Sequence, residues 1–199
     1  MNSRSSGLLL SAAIATILAG CGGGGGGSAS GMPGPQSGTL SVLTSDASTE
    51  DWAMIGIRIL SIALVPQGGG PNVTVYTAPS PVPVTNLVNL DNLSEVLGNA
   101  SIVTDVPVTY AGAVVTISGN PGDVMLTAAA DPETGFEGTP GATIPVTDIQ
   151  IQNTQGSAPN LTVSVPISFD APLKVTPGQA SQLDIEFDLR HPALRNPEA

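Results

Sequence analysis

The chain predicts an all-β fold: a β-sandwich, favoured over a barrel, with about 8–10 short strands and at most one short helix. Three observations predict it. Apolar residues recur with a period of two in short runs, and Gly, Pro, Asn and Asp separate those runs. Glycine (24) and proline (18) interrupt nearly every stretch, which leaves little room for long helices. Aromatics are only 3% of the 199 residues, so the core has to be built from Val, Ile, Leu and Ala. The β-branched members of that set favour strands.

The N-terminal region reads differently. Arg4 gives a short positive segment, and Leu8 to Leu18 is apolar over about eleven residues. A bilayer span takes about 20 residues, so this stretch is expected to be the apolar part of an export signal over 1–20. It ends in Leu18-Ala19-Gly20-Cys21, which resembles the lipobox of bacterial lipoproteins. The resemblance implies cleavage before Cys21, diacylglycerol on its sulfur and an acylated new N-terminus. Such chains anchor by burying methylenes at about 0.8 kcal/mol each. Cys21 is the only cysteine, so no internal disulfide can form. Gly22 follows it, where Asp would imply retention in the inner membrane. The expected address is therefore the cell envelope, with the outer membrane favoured over the inner. Residues 21–37 are expected to be the lipidated cysteine and a glycine-rich tether reaching roughly 20–25 Å. The run Gly22 to Gly27 has neither the preceding strand nor the following Lys-Ser/Thr of a phosphate-binding loop.

A single domain is expected over 38–190, with a C-terminal tail at 191–199; no internal repeat is visible. Thr39 to Thr44 alternates and opens the domain. Ala53 to Val65 is the longest apolar run. Ile55, Ile57 and Ile59 share one face, and Leu60, Ile62 and Leu64 take the opposite parity. That change of phase predicts a β-bulge near Leu60-Ser61, or a strand buried on both faces. Gly56 and the β-branched content weigh against a helix there. Pro66 to Pro71 is a turn, Val73 to Tyr76 a strand, and Pro79 to Pro83 a connection. Val84 to Leu90 predicts a strand. Asp91 or Asn92 has the character of a helix cap, and Leu93 to Leu97 of one helical turn ending at Gly98.

Tyr110 to Ser118 predicts a strand, Gly119 to Gly122 a turn, and Asp123 to Thr127 a return strand closing a hairpin. Residues 130–142 predict an exposed acidic loop. Ile144 to Ile151 and Leu161 to Ile167 predict strands, with Pro166 at an edge or bulge. Leu183, Ile185, Phe187 and Leu189 alternate with Asp184, Glu186 and Asp188, which gives one core face and one acidic face.

Several segments carry a family resemblance. Leu43-Thr44-Ser45-Asp46-Ala47 is similar to the Leu-Thr-Asp-Ala-Pro opening of the DUF4382 family of bacterial lipoproteins, with Ser45 inserted and Ser48 in place of proline. Val106-Pro107-Val108-Thr109-Tyr110 and the following residues to Ile117 resemble its central Pro-Ala-Gly-x-Tyr segment, with Val108-Thr109 replacing Ala-Gly. Ala171 to Gln179 and Leu183 to Leu189 resemble its final strands. The resemblance covers about 38–190 and implies a prealbumin-like β-sandwich on a lipid anchor, with no established activity. Relatives often continue past the Phe-Asp-Leu segment, so this chain is either a short member or lacks a downstream domain.

Composition and motifs exclude several functions. Sixteen acidic residues against five Lys and Arg would be repelled by phosphate backbones, so no nucleic-acid partner is expected. His191 is the only histidine and lies in the expected tail, with no Gly-x-Ser-x-Gly elbow elsewhere. No catalytic residue, cofactor or zinc site is therefore expected. Calcium needs only oxygens. Asp131, Glu133 and Glu137 form one acidic group that could supply them, and Asp46, Glu50 and Asp51 another. Asp184, Glu186 and Asp188 read as a solvated strand face, with Lys174 and Arg190 as possible partners. Trp52 reads as a core or rim anchor.

The expected function is a non-catalytic envelope lipoprotein that binds or assembles with an envelope protein or glycan and touches the membrane through its lipid. The alternative is a carbohydrate- or calcium-binding surface module.

Overall fold

A computed structural model describes residues 36–47, 51–90, 95–134, 136 and 138–188. Ten strands account for nearly all the regular structure. In chain order they are β1 (Ser37–Ala47), β2 (Trp52–Ile57), β3 (Ile59–Pro66), β4 (Val73–Thr77), β5 (Thr85–Asn86), β6 (Glu95–Val103), β7 (Val108–Ser118), β8 (Met125–Ala128), β9 (Thr162–Val175) and β10 (Ala180–Asp188). The all-β expectation holds. Among the described residues, helix is confined to two 3-10 turns, Leu87–Leu90 and Val146–Asp148.

The strands form three sheets, ordered β10-β1-β6, β5-β2-β8 and β4-β3-β7-β9. The first and third sheets face each other, with β9 touching β10 along one side and β4 touching β6 along the other. Leu40, Val42, Leu183 and Ile185 of the first sheet enter one continuous core with Ile62, Leu64, Val115 and Leu173 of the third. The small sheet β5-β2-β8 is attached at the end where β1 finishes and β3 begins. All pairings are antiparallel except β1 with β10, which run parallel from Thr39↔Ala180 to Ala47↔Asp188.

The long run Ala53 to Val65 is two strands in two sheets, meeting at Arg58. The phase change has the cause anticipated for it. Ile59 pairs with Ile117 and Ser61 with Thr116, so Leu60 is the extra residue of a bulge. Ile55, Ile57, Ile59, Ile62 and Leu64 all point into the core as a result. Pro166 lies on β9, the edge strand of its sheet, where the missing N–H breaks no ladder. A second irregularity on β9 opposes Tyr110↔Leu173 and Gly112↔Ser168, so four residues bulge against Ala111. Gly112 makes the close approach possible: a Cβ there would lie 2.3 Å from the Ile167 carbonyl oxygen.

Four local expectations are corrected. Asp123 to Thr127 does not return along β7, because both edges of β7 are taken by β3 and β9; β8 pairs with β2 instead. Residues 95–103 are a strand, since the free edge of β1 offers a ladder that outweighs the propensity of the Leu93–Leu97 segment. The cap residues Asp91 and Asn92 lie outside the described residues. Val84 to Leu90 yields only the two residues of β5 before the chain tightens into a 3-10 turn that buries Leu87. Ile144 to Ile151 is not a strand. Only Thr143 bridges Thr127, Pro145 lacks an N–H, and Ile144 and Ile149 reach the core from an irregular segment.

Candidate functional site

The polar chemistry of the described residues gathers at the end of the sandwich that carries the small sheet. Arg58 sits at the junction of β2 and β3. Its Nε donates to Asp123 Oδ1 at 2.8 Å, and its Nη1 donates to the Val82 carbonyl. Ser118, the last residue of β7 and buried, donates its hydroxyl to Asp123 Oδ2 at 2.6 Å. Asn120 donates Nδ2–H to Ser118 Oγ at 3.1 Å and accepts the Leu161 N–H on Oδ1 at 2.9 Å. One network therefore fastens four segments: the β2–β3 junction, the proline-rich connection, the turn after β7 and the approach to β9.

The Ser118 hydroxyl is the main cause holding the Asp123 carboxyl below its ordinary value of 3.8, against the opposing effect of burial; Asn120 and Arg58 add to it. A carboxylate held that low is a poor base, and Ser118 is only 2% exposed. The group fastens the turn rather than activating a nucleophile. Sequence reasoning did not single it out. Its signals were present: Arg58 is the one cation inside a long apolar run, and Ser118-x-Asn120-x-x-Asp123 follows a strand as a polar turn.

At the other end of β2, the described residues of 129–142 fold back on Trp52. Ala128 N–H donates to the Ala142 carbonyl at 2.9 Å, and Ala129 N–H to the Asp51 carbonyl at 2.8 Å. The Trp52 and Phe136 rings meet edge to face, centroids 5.5 Å apart at 83°. Trp52 is half-buried and packs on the core, as a rim anchor should.

The two acidic segments come together in part. Asp51 Oδ1 accepts the Glu133 N–H at 3.0 Å, and Asp131, Pro132, Glu133 and Thr134 line an open depression. Glu50, Glu137 and the side chain of Asp46 lie outside the described residues. Among those described, no three of His, Cys, Asp and Glu converge to hold a metal ion. Asp184 and Glu186 alternate with buried Leu183, Ile185 and Phe187 on the outer face of β10, while Lys174 is exposed on β9. The side chain of Asp188 and the residues Leu189, Arg190 and His191 lie outside the described residues. So do Leu18, Ala19, Gly20, Cys21, the export signal and most of the tether. No described helix is long and apolar enough to cross a membrane.

The opposite end of the sandwich is where the chain enters. Ser37 pairs with Val103, and Gln36 accepts the Thr104 N–H at 3.1 Å. The Thr176–Gln179 turn adds Gly178 N–H to the Ser37 carbonyl at 3.2 Å, and Thr39 N–H to Gln179 at 3.1 Å. Val103 and Val106 project into solvent there.

No protein-family model matches the chain, and no curated protein or solved structure matches it.

Proposed function

We propose that the chain is a cell-envelope lipoprotein whose β-sandwich is a non-catalytic binding or assembly module. The observation that carries this reading is the apolar run Leu8 to Leu18 ending in Leu18-Ala19-Gly20-Cys21, with the chain's only cysteine in the acceptor position. Two features support it. The first strand begins directly after the glycine-rich segment, so a folded module would follow the anchor closely. The polar clusters of that module serve its own turns, as the Arg58–Asp123–Ser118 network does. The resemblance to the DUF4382 lipoproteins points the same way and rests on its short segments alone. Gly22 after the cysteine favours the outer membrane.

The test is metabolic labelling with palmitate. The wild-type protein should take up label and fractionate with membranes. Cys21→Ser should lose both, and equal membrane recovery of the two forms would overturn the proposal.

The alternative, a carbohydrate- or calcium-binding module, has one observation in its favour: Asp51 and Glu133, from separate acidic segments, meet beside the Trp52–Phe136 edge. Calorimetric titration with calcium, or with envelope glycans, should give heat and a raised melting temperature on that reading; neither change would dismiss it.

A further inference from the structure

We propose that the end of the sandwich where the chain enters is a bilayer-contact surface, with Val103 and Val106 resting in the headgroup region of the membrane to which Cys21 is fastened. The inference rests on the lipoprotein reading above and adds an orientation to it.

Three observations carry it. The first is exposure. Val103 is 67% and Val106 63% exposed, the highest values among the large hydrophobic residues described. Val84 and Val146, the other two exposed ones, belong to segments associated with the small sheet at the opposite end. Nor is Val106 loosely displayed. The Thr104 hydroxyl accepts the Val106 N–H at 3.3 Å and donates to the Val106 carbonyl, which pins the backbone that carries it. The second is position. Val103 pairs with Ser37 and Thr104 bonds Gln36, so the two valines stand beside the point from which residues 22–36 lead to Cys21. By composition that segment spans roughly 20–25 Å.

The third is charge. Three loops form this end, 66–72, 103–107 and 176–179, and Asp105 is their only acidic residue. Lys174 lies exposed close by on β9. Asp51, Asp131 and Glu133 at the start of β2, and Asp123 at its finish beside Arg58, all belong to the half that carries the small sheet. An anionic leaflet repels carboxylates, so this end, with Asp105 alone between the two valines, approaches it at less cost than the end that holds the other four acids. Two valines alone would not hold a domain at a membrane. A short tether raises their effective concentration at the surface to the millimolar range, where weak burial becomes populated.

The experiment uses the full chain, acylated at Cys21, in vesicles of phosphatidylethanolamine and phosphatidylglycerol. A cysteine introduced by Val106→Cys is then the only free thiol and takes an environment-sensitive fluorophore. Thr134→Cys, in the exposed loop at the other end, serves as the reference. Doxyl lipids should quench the label at position 106 several-fold more than at 134, and Val103→Asp in the same chain should bring the two together. Equal quenching in a chain that still floats with the vesicles overturns this inference and leaves the lipoprotein reading standing. A chain that fails to float overturns that reading itself. A label shielded in whole cells but not in pure lipid overturns the membrane assignment in favour of a protein partner.

Discussion

At one end of the sandwich Arg58, Asp123, Ser118 and Asn120 close the turns with side chains; at the other, Gln36, Ser37, Thr104 and Gly178 close them chiefly with backbone groups. The difference has consequences. A side-chain network demands particular residues and draws charge inward. Backbone closure makes almost no demand on side chains, so the residues between the bonds can face outward without loss of stability. The bare valines 103 and 106 sit where the fold asks least of its side chains.

The strongest break is expected midway between the two ends, on which both depend. Gly112→Ala would drive a Cβ to 2.3 Å from the Ile167 carbonyl oxygen and force β7 from β9. Urea denaturation should register a loss of about 3 kcal/mol or more; a loss below about 1 would mean the bulge on β9 yields easily. Next comes the networked end. Asp123→Asn removes the charge that Arg58 and Ser118 share, and should cost about 2 kcal/mol at neutral pH. The carboxylate is only 27% exposed, so solvent screens the pair incompletely.

The two ends should also fail at opposite extremes of pH. Asp123 is more acidic in the folded chain than in the unfolded one, so the unfolded state binds the extra proton. Its stabilising contribution is present above the ordinary value of 3.8 and is lost as pH falls through the lower folded value. Tyr110, opposite Pro66 and Leu173 near the chain-entry end, has its pKa raised above 10.0 by burial. The unfolded chain ionises first, so that contribution is present below 10.0 and is lost as pH rises past it. Melting temperatures across pH should fall at both limits, with Asp123→Asn flattening only the acid one.

A smaller effect is expected at Thr44, where β1 approaches the networked end. Its hydroxyl is fully buried and has no hydrogen-bond partner among the described residues. Thr44→Val keeps the shape and removes the unsatisfied group, and should raise stability by about 1 kcal/mol. The smallest effect is the most telling for the backbone-closed end. Val106→Asp should leave the denaturation midpoint within about 0.5 kcal/mol of wild type, because nothing in the fold uses that side chain. A large loss would place Val106 in the structural account and remove it from the surface one.

Much of the architecture was legible because alternation is a local signal. Leu183, Ile185 and Phe187 against Asp184 and Glu186 define a face with no tertiary information, and the slip of parity at Leu60 locates a bulge. What was not legible depended on competition for edges. Whether Met125 to Ala128 joins β7 or β2 is decided by β9, which arrives almost forty residues later and occupies the edge a hairpin would need. Residues 95–103 are ambiguous alone, and become a strand because β1 has an open side. The acidic loop around Asp131 was readable as exposed, whereas its attachment to Asp51 and Trp52 was not, since those contacts join residues about eighty positions apart.

The parallel pairing of β1 with β10 sets a schedule for assembly. A polypeptide made from its N-terminus offers Leu40, Val42 and Thr44 early, yet their neighbours Leu183 and Ile185 follow about 140 residues later. Until then the opening strand can have β6 on one flank and only solvent on the other. Loop closure over that separation is slow, which lengthens the interval in which an open edge is available to other chains. A product truncated before Ala180 would keep that edge permanently, as a template for pairing with another chain.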